Sequence, residues 1–271
     1  MKLLHSLRLF GLMLMLVFQS AQACAEMETA PPSTFKRSGV AEVGSRYALL
    51  DKNNQDWIDQ YLLGGWQFAE ADRINGEISH QSHFDDQGVF FGVGYTHIFN
   101  EDWYGSLSTG TSLGGFFLPQ FRIDAVIYKK WLAKKSLVTG VGFTYYRAKD
   151  VHYDYTLTLN AVYYFDAPWI IELGARLNQS NPGAVRADRV FGAVTYGRNK
   201  DYYLTARYEA GQEGYQLVGA GTTISNFFSR EGAFIWRQWV SRDYGFNWML
   251  NYYDNPNYSR FIVTLGLFVD F

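Results

Sequence analysis

The sequence predicts an all-β protein that spans a membrane as an up-and-down antiparallel β-barrel of about 14 strands, with 12 as the alternative count. Three observations support this prediction. Apolar and polar residues alternate along long segments, short polar turns recur roughly every thirty-three residues, and aromatic residues make up 18% of the chain. Alternation with a period of two is typical of a strand with two different faces. Repeated around a molecule, with polar partners turned inward, it is typical of a lipid-facing barrel wall.

The clearest strand is at residues 258–271. One of its faces is wholly apolar: Phe261, Val263, Leu265, Leu267, Val269 and Phe271. The other face is mixed, as expected of a wall between lipid and a hydrated lumen. A strand that ends on Phe resembles the terminal strand that bacterial outer-membrane proteins present to their assembly machinery. We therefore predict outer-membrane lipid and, through Phe271, the barrel assembly machinery as partners.

The amino-terminal segment has the features of a cleaved secretory signal. Residues 1–23 contain Lys2 and Arg8 followed by an apolar core of about ten residues, which is too short to span a bilayer. We predict a signal peptide at 1–23, a periplasmic linker at 24–39 and an outer-membrane barrel at 40–271 in a Gram-negative cell. Cys24 lies at the cleavage site, where it is either removed, left as a thiol or lipidated.

The charge balance argues against a nucleic-acid partner. The chain has 24 Lys and Arg residues against 26 Asp and Glu, and loss of the signal would remove two of the positive charges. A net negative protein is not suited to bind nucleic acid or an anionic membrane surface. The single Cys provides no disulfide framework, and the sequence indicates no cofactor.

Several segments outside the last strand carry the pattern of a known family. They are the Tyr-Phe-Asp-Ala-Pro-Trp turn at 164–169, Val-Thr-Tyr-Gly at 194–197 running into Tyr-Tyr-Leu-Thr-Ala-Arg at 202–207, and the closing Leu-Gly-Leu-Phe-Val-Asp-Phe at 265–271. The pattern resembles the YaiO family of outer-membrane β-barrels over most of the chain after the linker. The resemblance implies a barrel without a catalytic signature, some of whose relatives are suspected of serving exopolysaccharide export.

Charged residues on the predicted inner faces are candidates for lining the lumen. They are Arg122, Asp124, Asp154, Glu172, Arg176, Arg207 and Glu209. Their signs are mixed, which favours ion pairs that brace a narrow lumen over a selective ring of one sign. Inward aromatic residues provide an alternative interpretation, because their rings can stack on sugars.

One short motif has a catalytic pattern. His80 and Ser82 lie two residues apart, so both would project from the outward face of one strand, as in outer-membrane lipid hydrolases. The sequence places no orienting acid beside them, and His83 would face the other way. A metal site is not predicted, because the His residues do not converge.

The sequence therefore supports three functions. The first is a non-enzymatic, porin-like barrel that passes or helps to secrete a polysaccharide or small solute. The alternatives are a lipid hydrolase acting through His80 and Ser82, and a structural or adhesive barrel with a plugged lumen. The longer interval at 211–231 predicts an outer loop that either gates the mouth through Tyr215, Phe227 and Phe228 or prolongs two strands.

Overall fold

The computed structural model describes residues 35–51, 55–83, 86–214, 216–219, 222–224 and 227–271, and the side chains of these residues except those between 215 and 226. The predicted signal peptide, Cys24 and most of the linker lie outside the described residues. Among the described residues, no helix is long and apolar enough to cross a membrane.

The described chain folds into strands joined by turns and loops. The strands are β1 (Ser38–Leu50), β2 (Trp57–Gln67), β3 (Asp72–His83), β4 (Asp86–Ile98), β5 (Trp103–Gly114), β6 (Phe121–Trp131), β7 (Leu137–Arg147), β8 (Tyr153–Tyr164), β9 (Trp169–Asn181), β10 (Val185–Arg186), β11 (Arg189–Arg198), β12 (Tyr202–Glu213), β13 (Gln216–Gly219), β14 (Thr222–Ile224), β15 (Phe227–Trp239), β16 (Tyr244–Asp254) and β17 (Ser259–Asp270).

Fourteen of these strands form one closed antiparallel barrel, which confirms the predicted fold and the larger of the two strand counts. Each long strand pairs with its neighbours along the chain, and β1 pairs with β17 to close the wall. The two-residue β10 adds to the end of β9, while β13 and β14 form a separate small sheet. Closure satisfies the backbone groups of every wall strand, as a lipid environment requires.

The two ends of the barrel differ. The short-turn end, where β1 begins and β17 ends, carries the tight connections at 68–71, 99–102, 132–136, 165–168, 199–201 and 240–243. The long-loop end carries most of the longer connections, including 115–120 and the region between β12 and β15.

The outer face is an apolar band around the molecule. Large hydrophobic side chains are exposed on most wall strands, among them Leu62, Ile78, Leu107, Leu173 and Leu265, which are 49–63% exposed. A continuous band of this kind on a soluble protein would drive association. On a closed barrel it is the surface that faces lipid.

The interior is packed partly by aromatic rings that lie over inward-facing glycines. A Cβ on Gly174 would be 2.2 Å from Cζ of Phe191, and one on Gly110 would be 2.4 Å from Cζ of Phe90. The rings occupy the space that larger residues would take on the neighbouring strand. These glycines therefore set how closely the aromatic side chains approach the wall.

The long segment at 211–231 differs in part from the predicted gate. β12 continues to Glu213 and β15 starts at Phe227, so the ends of the segment prolong two strands. Phe227 is buried inside the barrel and Phe228 is 53% exposed on the outer face, so the two rings point in opposite directions. Phe228 is therefore not a contact residue over the mouth, and Tyr215 lies outside the described residues.

Candidate functional site: the barrel lumen

The residues predicted to line the lumen all lie on inward positions of their strands. Arg122 and Asp124 are on β6, Asp154 on β8, Glu172 and Arg176 on β9, and Arg207 and Glu209 on β12. All are buried except Asp124, whose side chain is 22% exposed. Their neighbours in sequence point to the apolar outer face, because successive side chains of a strand alternate.

Glu209 is the centre of a buried ionic network. Its Oε1 atom lies 2.5 Å from Nη1 of Arg176 and 2.8 Å from Nε of Arg189, and its Oε2 atom lies 3.3 Å from Nη2 of Arg207. None of these four side chains is more than 3% exposed. Glu172 adds a second carboxylate, 3.5 Å from Arg207. Three guanidinium groups on β9, β11 and β12 thus share carboxylates away from water.

The network continues towards the long-loop end. Nη1 of Arg189 lies 2.6 Å from Oε1 of Glu213, and Ser229 hydrogen-bonds with both side chains. Tyr253 donates a hydrogen bond of 2.9 Å to the same carboxylate oxygen. Tyr258, in the loop after β16, packs against Tyr253, and burial raises its pKa well above the usual value.

Phe191 lies close to two cations of the network. The guanidinium carbon of Arg207 is 4.4 Å from the ring centroid, and that of Arg176 is 5.0 Å away. A cation close to an aromatic ring is attracted by its quadrupole, more strongly where water is excluded. The ring thus helps to stabilise two buried cations of the network.

A second cluster of polar and aromatic side chains lies at the long-loop end, on the side of the lumen opposite the ionic network. Asp59 accepts a hydrogen bond from buried His83, and its Oδ2 atom lies 3.4 Å from Nη1 of Arg46. The His83 ring is stacked between Trp57, at 4.4 Å, and Phe117, at 4.8 Å. His83 is therefore fixed on both its faces and at its edge.

Phe117 enters the lumen from the loop at 115–120, which folds inward. Phe117 and Leu118 are 6% and 3% exposed and pack on Phe90 of β4. Ser112 donates a hydrogen bond of 2.6 Å to the carbonyl oxygen of Pro119, which ties the loop to β5. This loop and the ionic network both narrow the long-loop half of the lumen.

The short-turn half is more open. A cavity of about 510 Å³, here called the vestibule, is bounded by β1, β2, β12, β15, β16 and β17 and by Arg73 of β3. A second cavity of about 110 Å³, here called the inner cavity, lies against β3 to β9 and contacts Arg122, Asp124 and Arg176. Arg73 lines both cavities, so it lies at the junction between them.

The vestibule has an excess of positive charge. Seven Lys and Arg residues line it against three acidic residues: Lys36, Arg37, Arg46, Arg73, Lys200, Arg237 and Arg242 against Glu42, Asp243 and Asp270. The whole chain has a net charge of −2, so this excess is local. Two of the carboxylates are engaged: Glu42 lies 3.3 Å from Arg237, and Asp270 lies 2.5 Å from Lys200.

The residues of the hydrolase hypothesis lie elsewhere. His80 is exposed and Ser82 half-buried on the outward face of β3, opposite Gln60 and Ile58 of β2. In the part of the chain that the structure describes, no carboxylate hydrogen-bonds to His80, although a base of this kind needs an orienting partner. No group of three His, Cys, Asp or Glu residues that could hold a metal ion occurs among the described residues.

Several residues of the lumen were not predicted from sequence. Arg189 follows an irregular stretch and was not assigned to a strand, although it is 1% exposed at the start of β11. Glu42 and Arg237 are separated by 195 residues, and only closure of the barrel brings them together. A charged residue at an inward position of a strand is the sequence signal that could have identified them. Arg46, Asp59 and Glu231 carry the same signal.

The closed wall, the apolar outer band and the charged interior define the class of the protein: it is an outer-membrane β-barrel with a porin-like architecture. The family model described as the YaiO membrane beta barrel domain matches residues 39–216. The chain therefore belongs to the YaiO membrane β-barrel family, which confirms the predicted resemblance.

Solved structures share the fold at low sequence identity. A bacterial polysaccharide outer membrane secretin is 9% identical with a TM-score of 0.52, over 86% of this chain and 98% of that one. The CymD monoaromatic hydrocarbon channel is 7% identical with a TM-score of 0.51, over 88% of each chain. A loop L8 deletion mutant of OmpT from Vibrio cholerae is 10% identical with a TM-score of 0.51, over 87% and 99%. A search of curated proteins found no match. At these identities the structures establish the fold alone.

Proposed function

We propose that this barrel passes polysaccharide segments or other small solutes across the outer membrane and catalyses no reaction. The observation that carries the proposal is the space inside the wall: the 510 Å³ vestibule and the 110 Å³ inner cavity adjoin at Arg73, which lines both. A conduit needs a hydrated path lined by hydroxyl, aromatic and charged groups. The relatives suspected of serving exopolysaccharide export agree with this role.

The long-loop half is the constriction of the proposed path. The inward loop at 115–120 and the ionic network around Glu209 stand between the inner cavity and the long-loop mouth. The loop is held by the packing of its own Phe117 and Leu118 and by hydrogen bonds with Asp86, Thr111, Ser112 and Arg147. Since it enters the lumen, it is the element that must move for passage.

A second candidate is the plugged barrel with a structural or adhesive role. It is favoured by the extent of the buried network, in which Arg189 is 1% exposed and Ser229 is fully buried. A network that fills the cross-section braces the wall whether or not anything passes. The two candidates differ in whether the interior ever opens.

Solute uptake by proteoliposomes separates them. We expect liposomes that contain the full-length protein to take up small sugars faster than empty liposomes, because movement of the loop at 115–120 opens the path. The double variant Phe117→Ala, Leu118→Ala removes the inner anchors of the loop and is expected to increase uptake. A matched control is Phe228→Ala, which removes an exposed ring from the outer face. No uptake by either the wild type or the loop variant would reject passage and favour the plugged barrel.

The partners of the barrel follow from its surface. The proposal places outer-membrane lipid against the exposed apolar band, and the barrel assembly machinery at Phe271, which follows β17. β1 and β17 complete the wall by pairing along Val40–Leu50, and Phe271 and Gly39 exchange backbone hydrogen bonds of 2.7 and 2.9 Å beside this seam. Recognition of Phe271 by the machinery stays a prediction.

A further inference from the structure

The vestibule holds positive charge that the protein itself does not neutralise. Arg237 is paired with Glu42, Lys200 with Asp270, and Arg46 with Asp59. Arg73 and Arg242 have no carboxylate within ion-pair distance among the residues that the structure describes. Cations gathered in a cleft with low-dielectric walls raise the local concentration of anions. An anionic ligand would therefore gain contacts that no side chain of the described chain already occupies.

Arg73 lies where such a ligand would pass from the vestibule to the inner cavity. Its side chain lines both the vestibule and the inner cavity, and a Cβ on Gly65 would lie only 2.8 Å from its Nη2 atom. The guanidinium thus lies close over the backbone of β2, at the narrow junction. Beyond it, Arg122 and Arg176 line the inner cavity, with Asp124 held by both Nε and Nη2 of Arg122 at 2.7 and 2.8 Å.

The vestibule also offers groups that suit a sugar. Half-buried Tyr203 presents aromatic surface, and Gln67, Asn199 and Asn247 present amide groups. Aromatic rings stack on the apolar faces of sugars, whereas amides and hydroxyls pair with sugar hydroxyls. A guanidinium pairs with a carboxylate through two parallel hydrogen bonds. A simple inorganic anion would make no use of the aromatic face.

We infer that the vestibule binds an acidic oligosaccharide, a chain of carboxylate-bearing sugars, with Arg73 and Arg242 as the residues that determine charge specificity. The inference deepens the proposed function and rests on it, since it names the class of solute that the barrel passes. Arg242 is exposed at the short-turn mouth, so an oligosaccharide that enters there contacts Arg242 first. Arg73 then binds the oligosaccharide at the junction with the inner cavity.

Equilibrium binding to the purified full-length protein in detergent micelles tests this inference. The probes are a mannuronate hexamer, the neutral cellohexaose, and a linear hexaphosphate that has charge but no sugar ring. The mannuronate hexamer is expected to bind most tightly, and its affinity should fall as salt is added, because salt screens charges near the surface. Equal binding of cellohexaose would overturn the role of charge. Equal or tighter binding of hexaphosphate would overturn the assignment to a saccharide.

Substitutions locate the site. Arg73→Gln and Arg242→Gln should each weaken binding of the mannuronate hexamer by about tenfold, as expected for the loss of one charge-assisted contact. The control is Arg198→Gln, because Arg198 is exposed at the same end of the barrel but does not line the vestibule. It should change affinity by less than about twofold, as for an exposed charge. Equal effects of all three variants would overturn the site.

Folding and passage are checked separately. Each variant is accepted only if its band shifts on heating in an electrophoresis gel as the wild-type band does, which reports a folded barrel. A barrel that passes sugars but does not prefer the acidic hexamer would reject this inference and keep the proposed function. A barrel that binds the acidic hexamer but passes no solute would keep the binding site and reject passage.

Discussion

Arg189 and Glu209 lie on the neighbouring strands β11 and β12, and their Nε and Oε1 atoms are 2.8 Å apart inside the barrel. Their side chains are 0% and 2% exposed, and Glu209 also contacts Arg176 and Arg207. Taking charges out of water is costly unless each one is paired, so this carboxylate neutralises a group of guanidiniums that would otherwise repel one another. The pair therefore connects the stability of the wall with the constriction of the lumen.

The first prediction concerns the central carboxylate. Glu209→Gln keeps the size of the side chain but removes its charge, so three buried cations lose their shared partner. We expect a loss of about 3–5 kcal/mol in the free energy of unfolding, the range found when one partner of a buried pair is removed. Urea unfolding in lipid vesicles, followed by tryptophan fluorescence, measures it.

Glu101→Gln is the control for this prediction, because Glu101 is exposed in the turn between β4 and β5. It should change stability by less than about 0.5 kcal/mol. If Glu209→Gln lowered the free energy of unfolding as little as this control, water would screen the charges of the network. The network would then not be a dry constriction of the lumen.

The second prediction concerns the glycines beneath the aromatic rings. Gly174→Val should destabilise the barrel by about 1–3 kcal/mol, because its Cβ would lie 2.2 Å from the Phe191 ring and force that ring to move. The same substitution at Gly232 of β15 is the control, since a Cβ there would meet no atom within 4 Å. Unfolding midpoints in urea compare the two variants. A larger loss for Gly232→Val would contradict the packing described for the interior.

The third prediction tests which face contacts lipid. Leu265 lies near the middle of β17 and is 59% exposed, so Leu265→Arg should cost roughly 2–4 kcal/mol in the free energy of unfolding. Leu113 is 70% exposed near the end of β5, where an Arg reaches the interface and should cost about 0–1 kcal/mol. Unfolding in bilayers measures both. Equal costs at the two depths would mean that the apolar band is not centred in the membrane.

The sequence alone predicts the wall well, because a strand reveals its two faces through a period of two. The alternation at residues 261–271 placed Leu265 outside and Thr264 inside, as the structure has them, with Thr264 3% exposed. The strand count followed from the spacing of turns. Local pattern was sufficient for these features because each depends on neighbouring residues.

The arrangement of the lumen was less predictable, because it depends on which distant strands meet. Glu42 contacts Arg237 across 195 residues, and no local signal pairs them before the barrel is closed. Phe117 lies in a loop, where apolar and polar side chains do not alternate as they do along a strand. The sequence therefore did not predict that its ring points into the lumen. Its stacking on His83 depends on the path of the whole loop at 115–120.

The fourth prediction concerns the hydrolase alternative. His80 and Ser82 face outward, and the described structure provides no acid to orient the imidazole. We therefore expect Ser82→Ala to leave the hydrolysis of phospholipid vesicles by the purified protein unchanged from the background rate. Release of fatty acid measures this. Hydrolysis by the wild type that disappears in Ser82→Ala, but persists in the neighbouring variant Gln87→Ala, would restore the enzyme hypothesis.

Single-channel conductance in planar bilayers shows whether the barrel opens. We expect small, discrete openings for the wild-type protein and a larger conductance for the double variant Arg189→Ala, Glu209→Ala, which widens the constriction without changing net charge. The control is Lys134→Ala, Asp166→Ala, a surface pair whose side chains are 72% and 84% exposed, and its conductance should equal that of the wild type. The absence of openings in both the wild type and the widened variant, with both proteins shown to be folded, would contradict a passage through this barrel.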